Sequence, residues 1–463
     1  MQEVDLLIES DLVVTMDPER RVYTDGAVAV KGDTIAEVGA RAHVQGLVKA
    51  RRTITSPDMV VLPGLISVHS HTFQSLYRGL GDDMTLFGWF DNVIHPLSEH
   101  LDPEAAYVGS LLSCLEMIKS GTTCFGDVFY AHTNKSSFDE SARGVYESGI
   151  RAVLARATRN VDPVPPYLKE TIEEAVDGCV SMIEKWPGKS GGRVTVCPSP
   201  CEVWSCSDEM ILAMAELAEK YQLPLHSHVA SNAETLNYVR QRAGRREVEH
   251  LKALGVLKPE FVSIHSVLLA DSEIQILRDF DVKVAHCPTA NQYLGYGTAP
   301  IVAMLREGIT VGLGCDGAAS NNNLDMLEGL KFCALLHKNT MMDPTALTAE
   351  RVLEIATIEG ARVLGLEKEV GSLEKGKKAD LVLVDVKKPH FTPRFRTVSN
   401  LIYSANGADV DSVIVGGQVV MENRQVKTLD EEEVMERANR IARILVEKAG
   451  REDLLKLKRW KMV

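Results

Sequence analysis

Eight short apolar runs, separated by stretches of helical periodicity, fill residues 59–340 of this 463-residue chain. They predict strands over Met59–His69, Thr122–Val128, Arg151–Ala157, Arg193–Pro198, Pro224–Val229, Phe261–Ser266, Lys283–Cys287 and Thr310–Cys315. Strands that are apolar on both faces and alternate with helices form parallel sheets. The helical stretches carry recognisable ends. Asp102-Pro103-Glu104 reads as a cap with proline in the first turn, Gly121 closes that helix, and Ser205–Glu209 opens another over Met210–Tyr221. Eight such units argue for an α/β fold of the (β/α)8 TIM-barrel type. An open doubly wound sheet is the alternative, but it would not gather the ends of strands one, five, six and eight around one point.

The flanks are patterned differently. Residues 1–57 hold short β runs at Val4–Ile8, Ala27–Val30 and Thr34–Val38, with a turn at Lys31-Gly32-Asp33. Residues 369–426 repeat the style at Ala379–Asp385 and Asp411–Gln418. Together they predict a small composite β-sandwich built from both ends of the chain, around a barrel spanning 58–368. The remaining 427–463 form a C-terminal helical segment: Asp430–Leu457 is amphipathic and charged, a helix for its own barrel or for a neighbour.

Composition narrows the function. A net charge of −13 leaves no basic stripe for nucleic acid and reads first as a solubility surplus. Nine cysteines without a secretory leader do not make a disulfide framework. Cys114, Cys124, Cys179, Cys287, Cys315 and Cys333 read as small core residues, and Cys197, Cys201 and Cys206 lack the paired spacing of structural zinc. No apolar run is long enough to span a membrane, and Glu3 and Asp5 stand where a signal peptide would be basic. A cytoplasmic protein without nucleic-acid or membrane partners is expected.

Chemistry concentrates at the strand ends. His69 and His71 are one residue apart, so strand alternation projects both imidazoles to the same side. His228, His265 and Asp316 end three further strands, and barrel enzymes place their reacting groups at that rim. A lone strand histidine is usually a core residue, but five such groups on one rim describe a catalytic metal site. Imidazole and carboxylate suit one divalent metal, zinc first and ferrous iron as the alternative. Asp316 is suited to accept a proton from an attacking water, and His265 to orient it. Strand four, Arg193–Pro200, ends without a lysine, which favours one metal over two.

Several motifs resemble the amidohydrolase superfamily: Pro63–His71, His286-Cys287-Pro288 with Asn291, Gly297-x-Ala299-Pro300, Gly314–Asn322 and Gly371–Asp380. The nearest group holds purine, pterin and adenosylhomocysteine deaminases and s-triazine hydrolases. That resemblance implies one metal held by His69, His71, His228 and Asp316, with His265 beside the reacting water. It also implies hydrolytic loss of an amino or similar group from a small heterocycle, and a homodimer, as relatives often are.

The chain departs from the group in one respect. Many members carry a proton-shuttling glutamate three residues after the strand-five histidine, where this chain has Ser231. The nearest carboxylate is Glu234, expected to reach back as general acid/base; the plainer role is a first-turn glutamate favouring the helix dipole. Substrate contacts are expected from Gln74, Trp89, His95 and Asn291, with His286 a weaker candidate, against structural roles for each. Adenosylhomocysteine deaminases usually have a substrate-binding histidine after strand four, where this chain reads Ser199-Pro200-Cys201-Glu202. The sequence therefore ranks s-triazines first, guanine-like oxopurines or pterins second and adenosine derivatives third. Cyclic-amide hydrolysis and a metal-free scaffold are the readings from other classes. The first is disfavoured by the missing strand-four lysine, the second by the complete ligand set.

Overall fold

The computed structural model describes residues 1–456; residues 457–463, which include the end of the expected C-terminal helical segment, lie outside them. The eight barrel strands are Leu65–Ser67, Thr122–Phe129, Arg151–Thr158, Val194–Pro200, Leu225–Val229, Phe261–His265, Lys283–His286 and Val311–Leu313. The first four pair in parallel, as do the last four. Val68 N–H donates to the Leu313 carbonyl at 2.9 Å and His228 N–H to that of Cys201 at 3.0 Å, which closes the two halves into a barrel. The predicted helix signals hold. The Asp102 carboxylate accepts the Ala105 N–H to cap Pro103–Lys119, and Ser207 accepts the Met210 N–H to cap Asp208–Tyr221.

One expected strand, Met59–His69, is in fact two. Residues up to Pro63 belong to Val48–Pro63, which pairs with Gln2–Val14 and Leu381–Asp385 outside the barrel. The chain then turns at Gly64 and enters the barrel at Leu65. A Cβ on Gly64 would lie 1.9 Å from Thr123 Oγ1, so only glycine allows the crossing. Burial on both sides of the turn makes the apolar run continuous.

The chain ends share one eight-stranded sheet. In spatial order it runs Gln425–Val426, Gln418–Glu422, Val410–Val415, Leu381–Asp385, Val48–Pro63, Gln2–Val14, Val22–Lys31, Thr34–Ala40. It folds back on itself: Ile35 N–H donates to the Lys377 carbonyl and Ala379 N–H to that of Asp33, both at 2.8 Å. Leu6, Ile8, Val30, Ile35, Val61, Leu381, Leu383 and Ile414 fill the fold, so the sandwich is a single sheet closed over its own core. Arg151, at the start of barrel strand three, reaches out of the barrel to Asp380 with two hydrogen bonds of 2.7 and 3.0 Å. The helix Glu431–Lys448 buries Val434, Ala438, Ile441 and Leu445 and packs on Pro103–Lys119 of its own barrel. Among the described residues no helix is long and apolar enough to cross a membrane.

Candidate metal centre

The barrel rim brings the five expected groups together. The His69 ring lies 4.7 Å from that of His71, 4.9 Å from His228 and 5.8 Å from His265, centroid to centroid. Asp316 Oδ1 stands 3.2 Å from His69 Nε2 and 3.3 Å from His71 Nε2. His265 and Asp316 both have positive φ, 68° and 61°, backbone strain of the kind that clusters at functional sites.

Hydrogen bonds fix which nitrogens face inward. His71 Nδ1–H donates to the Val128 carbonyl and His228 Nδ1–H to that of Cys201, each at 2.6 Å, and His265 Nδ1 meets Asn291 Oδ1 at 2.9 Å. A carbonyl only accepts, so Nδ1 of His71 and of His228 carries the proton and Nε2 is left with its lone pair. Burial pushes the His69 pKa down to about 3 and that of His265 to about 4, keeping both imidazoles neutral. Burial opposes ionisation of Asp316, yet the histidines around it hold its carboxyl well below the usual range. Both nitrogens of His69 and Oδ1 of Asp316 are buried without a hydrogen-bond partner. Buried polar atoms are rarely left so. A divalent cation among them would supply the missing partner, and neutral imidazoles with one carboxylate are the donor set zinc takes. His69, His71 and His228 each offer a nitrogen within 4.8 Å of the others.

Above the centre lies a cavity lined by His71, Trp89, Phe90, Tyr130, Glu202, Trp204, His228, Ser231, Thr235, His265, Tyr296 and Asp316, with Leu86 and Leu294. Of the four expected substrate contacts, Trp89 lies in this lining, its Nε1–H tied to the Ala319 carbonyl at 3.0 Å. The other three lie behind it. Gln74, on the 3-10 turn Thr72–Tyr77, stands behind the lining, its amide donating to the hydroxyl of the lining residue Tyr130 at 2.6 Å. His95 stacks on the outer side of Phe90, ring centroids 5.0 Å apart, and Asn291 braces His265. His286 is buried against His337, with 3.0 Å between Nε2 atoms.

Glu234 does not reach the cavity. It sits exposed on the first turn of Ala233–Ala243, a helix whose start is pinned by Asn232 Oδ1 accepting the Glu234 and Thr235 N–H groups. That cap points the first turn at solvent. Glu234→Gln is expected to keep turnover within about threefold of wild type, whereas loss of a general acid would cost about 10²–10⁴-fold; steady-state kinetics on the two proteins decides.

The carboxylate that does line the cavity is Glu202. Arg159, buried beneath the Tyr130 ring at 4.1 Å, donates to both of its oxygens. Burial raises the Glu202 pKa, but Arg159 and His228 outweigh it and hold the carboxyl at about 2. The visible signal was position alone: Glu202 follows barrel strand four, on the same rim as the histidines.

Known proteins resemble this chain along nearly its whole length. The model of the amidohydrolase family matches residues 60–420. A 5-methylthioadenosine/S-adenosylhomocysteine deaminase of Pelotomaculum thermopropionicum is 40% identical over 442 residues, covering 96% of this chain and 99% of the relative. A 5'-deoxyadenosine deaminase of Methanosarcina acetivorans is 40% identical over 446 residues, with 96% and 99% covered. Among solved structures, a zinc-bound adenosine deaminase of Xanthomonas campestris superposes with a TM-score of 0.89 at 29% identity, covering 96% of this chain and 99% of that one. Atrazine chlorohydrolase of Arthrobacter aurescens, complexed with zinc, gives 0.88 at 25%, covering 94% and 100%. The fold, the zinc-type donor set and relatedness along nearly the full length agree: this is a metal-dependent hydrolase of C–N bonds, and the chain belongs to the amidohydrolase family.

Proposed function

We propose that the cavity hydrolyses the 6-amino group of adenine nucleosides altered at the 5' position, such as 5'-deoxyadenosine, methylthioadenosine and adenosylhomocysteine. The observation that carries this reading is relatedness along nearly the whole chain to relatives so named, in bacteria and in methanogens alike. It moves adenosine derivatives from third place to first.

The residues support hydrolytic deamination as follows. Trp89, Phe90, Trp204 and Tyr296 give the cavity flat apolar walls for a planar ring. His69, His71, His228 and Asp316 would hold zinc, which would supply Lewis acidity and lower the pKa of a water toward neutral. Asp316 takes a proton from the attacking water. His265, its ring oriented by Asn291, directs that water at the ring carbon and relays its second proton through the free Nε2 to the ring nitrogen. Asp316 returns the first proton to the departing amine, which leaves as ammonia. The Ser231 hydroxyl, in the cavity lining, donates to a ring nitrogen.

Ser231 also favours a second reading. Without a carboxylate at that position the site handles fewer protons, which suits s-triazines with good leaving groups, and the likeness to atrazine chlorohydrolase runs along most of the chain. A coupled assay for ammonia on zinc-loaded protein separates the two. Ammonia release from 5'-deoxyadenosine or methylthioadenosine is the expected result; none from the nucleosides, with chloride released from atrazine in a parallel assay, would replace the first reading by the second.

A further inference from the structure

Apart from Asp316 beside the metal position, Glu202 is the one carboxylate lining the cavity among the described residues. It is built in rather than incidental. Arg159 donates through Nε at 2.9 Å and through Nη2, the Ser205 hydroxyl adds a third donor, and all three side chains are buried. Three donors are one fewer than a carboxylate accepts. Arg159 is itself fixed under the rings of Tyr130, Phe90 and Trp204, so the pair cannot swing away from the cavity.

Position decides what Glu202 meets. Its carboxylate, the Cys201 thiol and a ring nitrogen of His228 lie within 4.8 Å of one another. A ligand atom at Glu202 therefore belongs to the reacting ring rather than to a distant substituent. Because Arg159 already balances the charge, the site has no excess attraction for a free cation. What remains is a fixed acceptor in a place poor in water. It rewards an N–H and penalises a ring nitrogen lone pair, since a buried acceptor facing an acceptor loses its solvation without compensation. The unsubstituted edge of adenine offers only lone pairs and C–H there.

We infer that Glu202, clamped by Arg159, is a specificity-determining residue that accepts a hydrogen bond from an amino N–H on the reacting ring, selecting 2-aminopurines over purines bare at C2. The inference rests on the reading of the cavity as an aminopurine site and shifts its preference toward rings that carry a second amino group at C2.

The test compares 5'-deoxyadenosine with its 2-amino derivative on the zinc-loaded protein. The 2-amino compound is expected to have the higher kcat/KM by about tenfold or more, the worth of a hydrogen bond to a charged acceptor. In the Arg159→Met/Glu202→Leu double variant the ratio is expected to fall to about one. Removing both charges together avoids the larger damage of stranding one of them, and the wild-type ratio needs no variant at all. A wild-type ratio near one, or a ratio unchanged in a folded double variant, overturns the inference. If neither nucleoside is hydrolysed, the proposed function fails, and both compounds become inert ligands. Their dissociation constants by calorimetry then decide the inference by the same tenfold criterion, and absence of binding overturns it too.

Discussion

Asp316→Asn is expected to lower kcat by about 10²–10⁴-fold, the range for loss of a positioned general base. The carboxylate is buried, its Oδ1 lies within 3.3 Å of both His69 and His71, and Oδ2 accepts the Ser320 hydroxyl at 3.0 Å. Asparagine preserves the shape and the Ser320 contact but removes the negative charge and most of the proton affinity. Zinc content measured on the same preparation separates the two consequences. One zinc per chain with activity lost assigns the effect to proton transfer; loss of both shows that the charge is needed to retain the metal. Turnover within tenfold of wild type, with zinc bound, would remove Asp316 from the chemistry.

Arg151→Met is expected to be strongly destabilising although it lies away from the site. It would leave Asp380 buried with its two Arg151 hydrogen bonds gone and, among the described residues, only the Gly416 N–H still donating to its side chain, at 2.7 Å. Stranding one member of a buried pair costs about 3–5 kcal/mol, while replacing both with apolar residues is often close to neutral. Arg151→Met alone should therefore lower the urea midpoint markedly, and Arg151→Met/Asp380→Leu should recover most of the loss. The pair joins barrel strand three to the sheet made by the chain ends. A midpoint unchanged in the single variant would mean that this junction contributes little.

The two sites differ in how far they could be read from sequence. Each metal-facing residue announces itself locally, because a polar residue closing an apolar run lies at a strand end wherever the strand sits in space. His69, His71, His228, His265 and Asp316 needed only strand alternation and the barrel rule. Glu202 obeyed that rule too but was passed over for Glu234, whose helix start depends on how Asn232 caps it. Gln74 followed the metal-binding pair closely enough to suggest substrate, yet the direction of a 3-10 turn is set by what packs around it, here Tyr130 and Gly317. Tyr130, Trp204 and Tyr296 come from three separate loops, and their meeting over one cavity is a tertiary fact. Gly64 was the overlooked marker in the fold, where an uninterrupted apolar run hid the step from sheet to barrel.

The most direct test of the account is ammonia release from 5'-deoxyadenosine before chelation, after chelation, and after zinc is restored to the same protein. Release is expected to vanish with the metal and to return at one equivalent of zinc per chain. Release that survives complete removal of the metal would contradict the account.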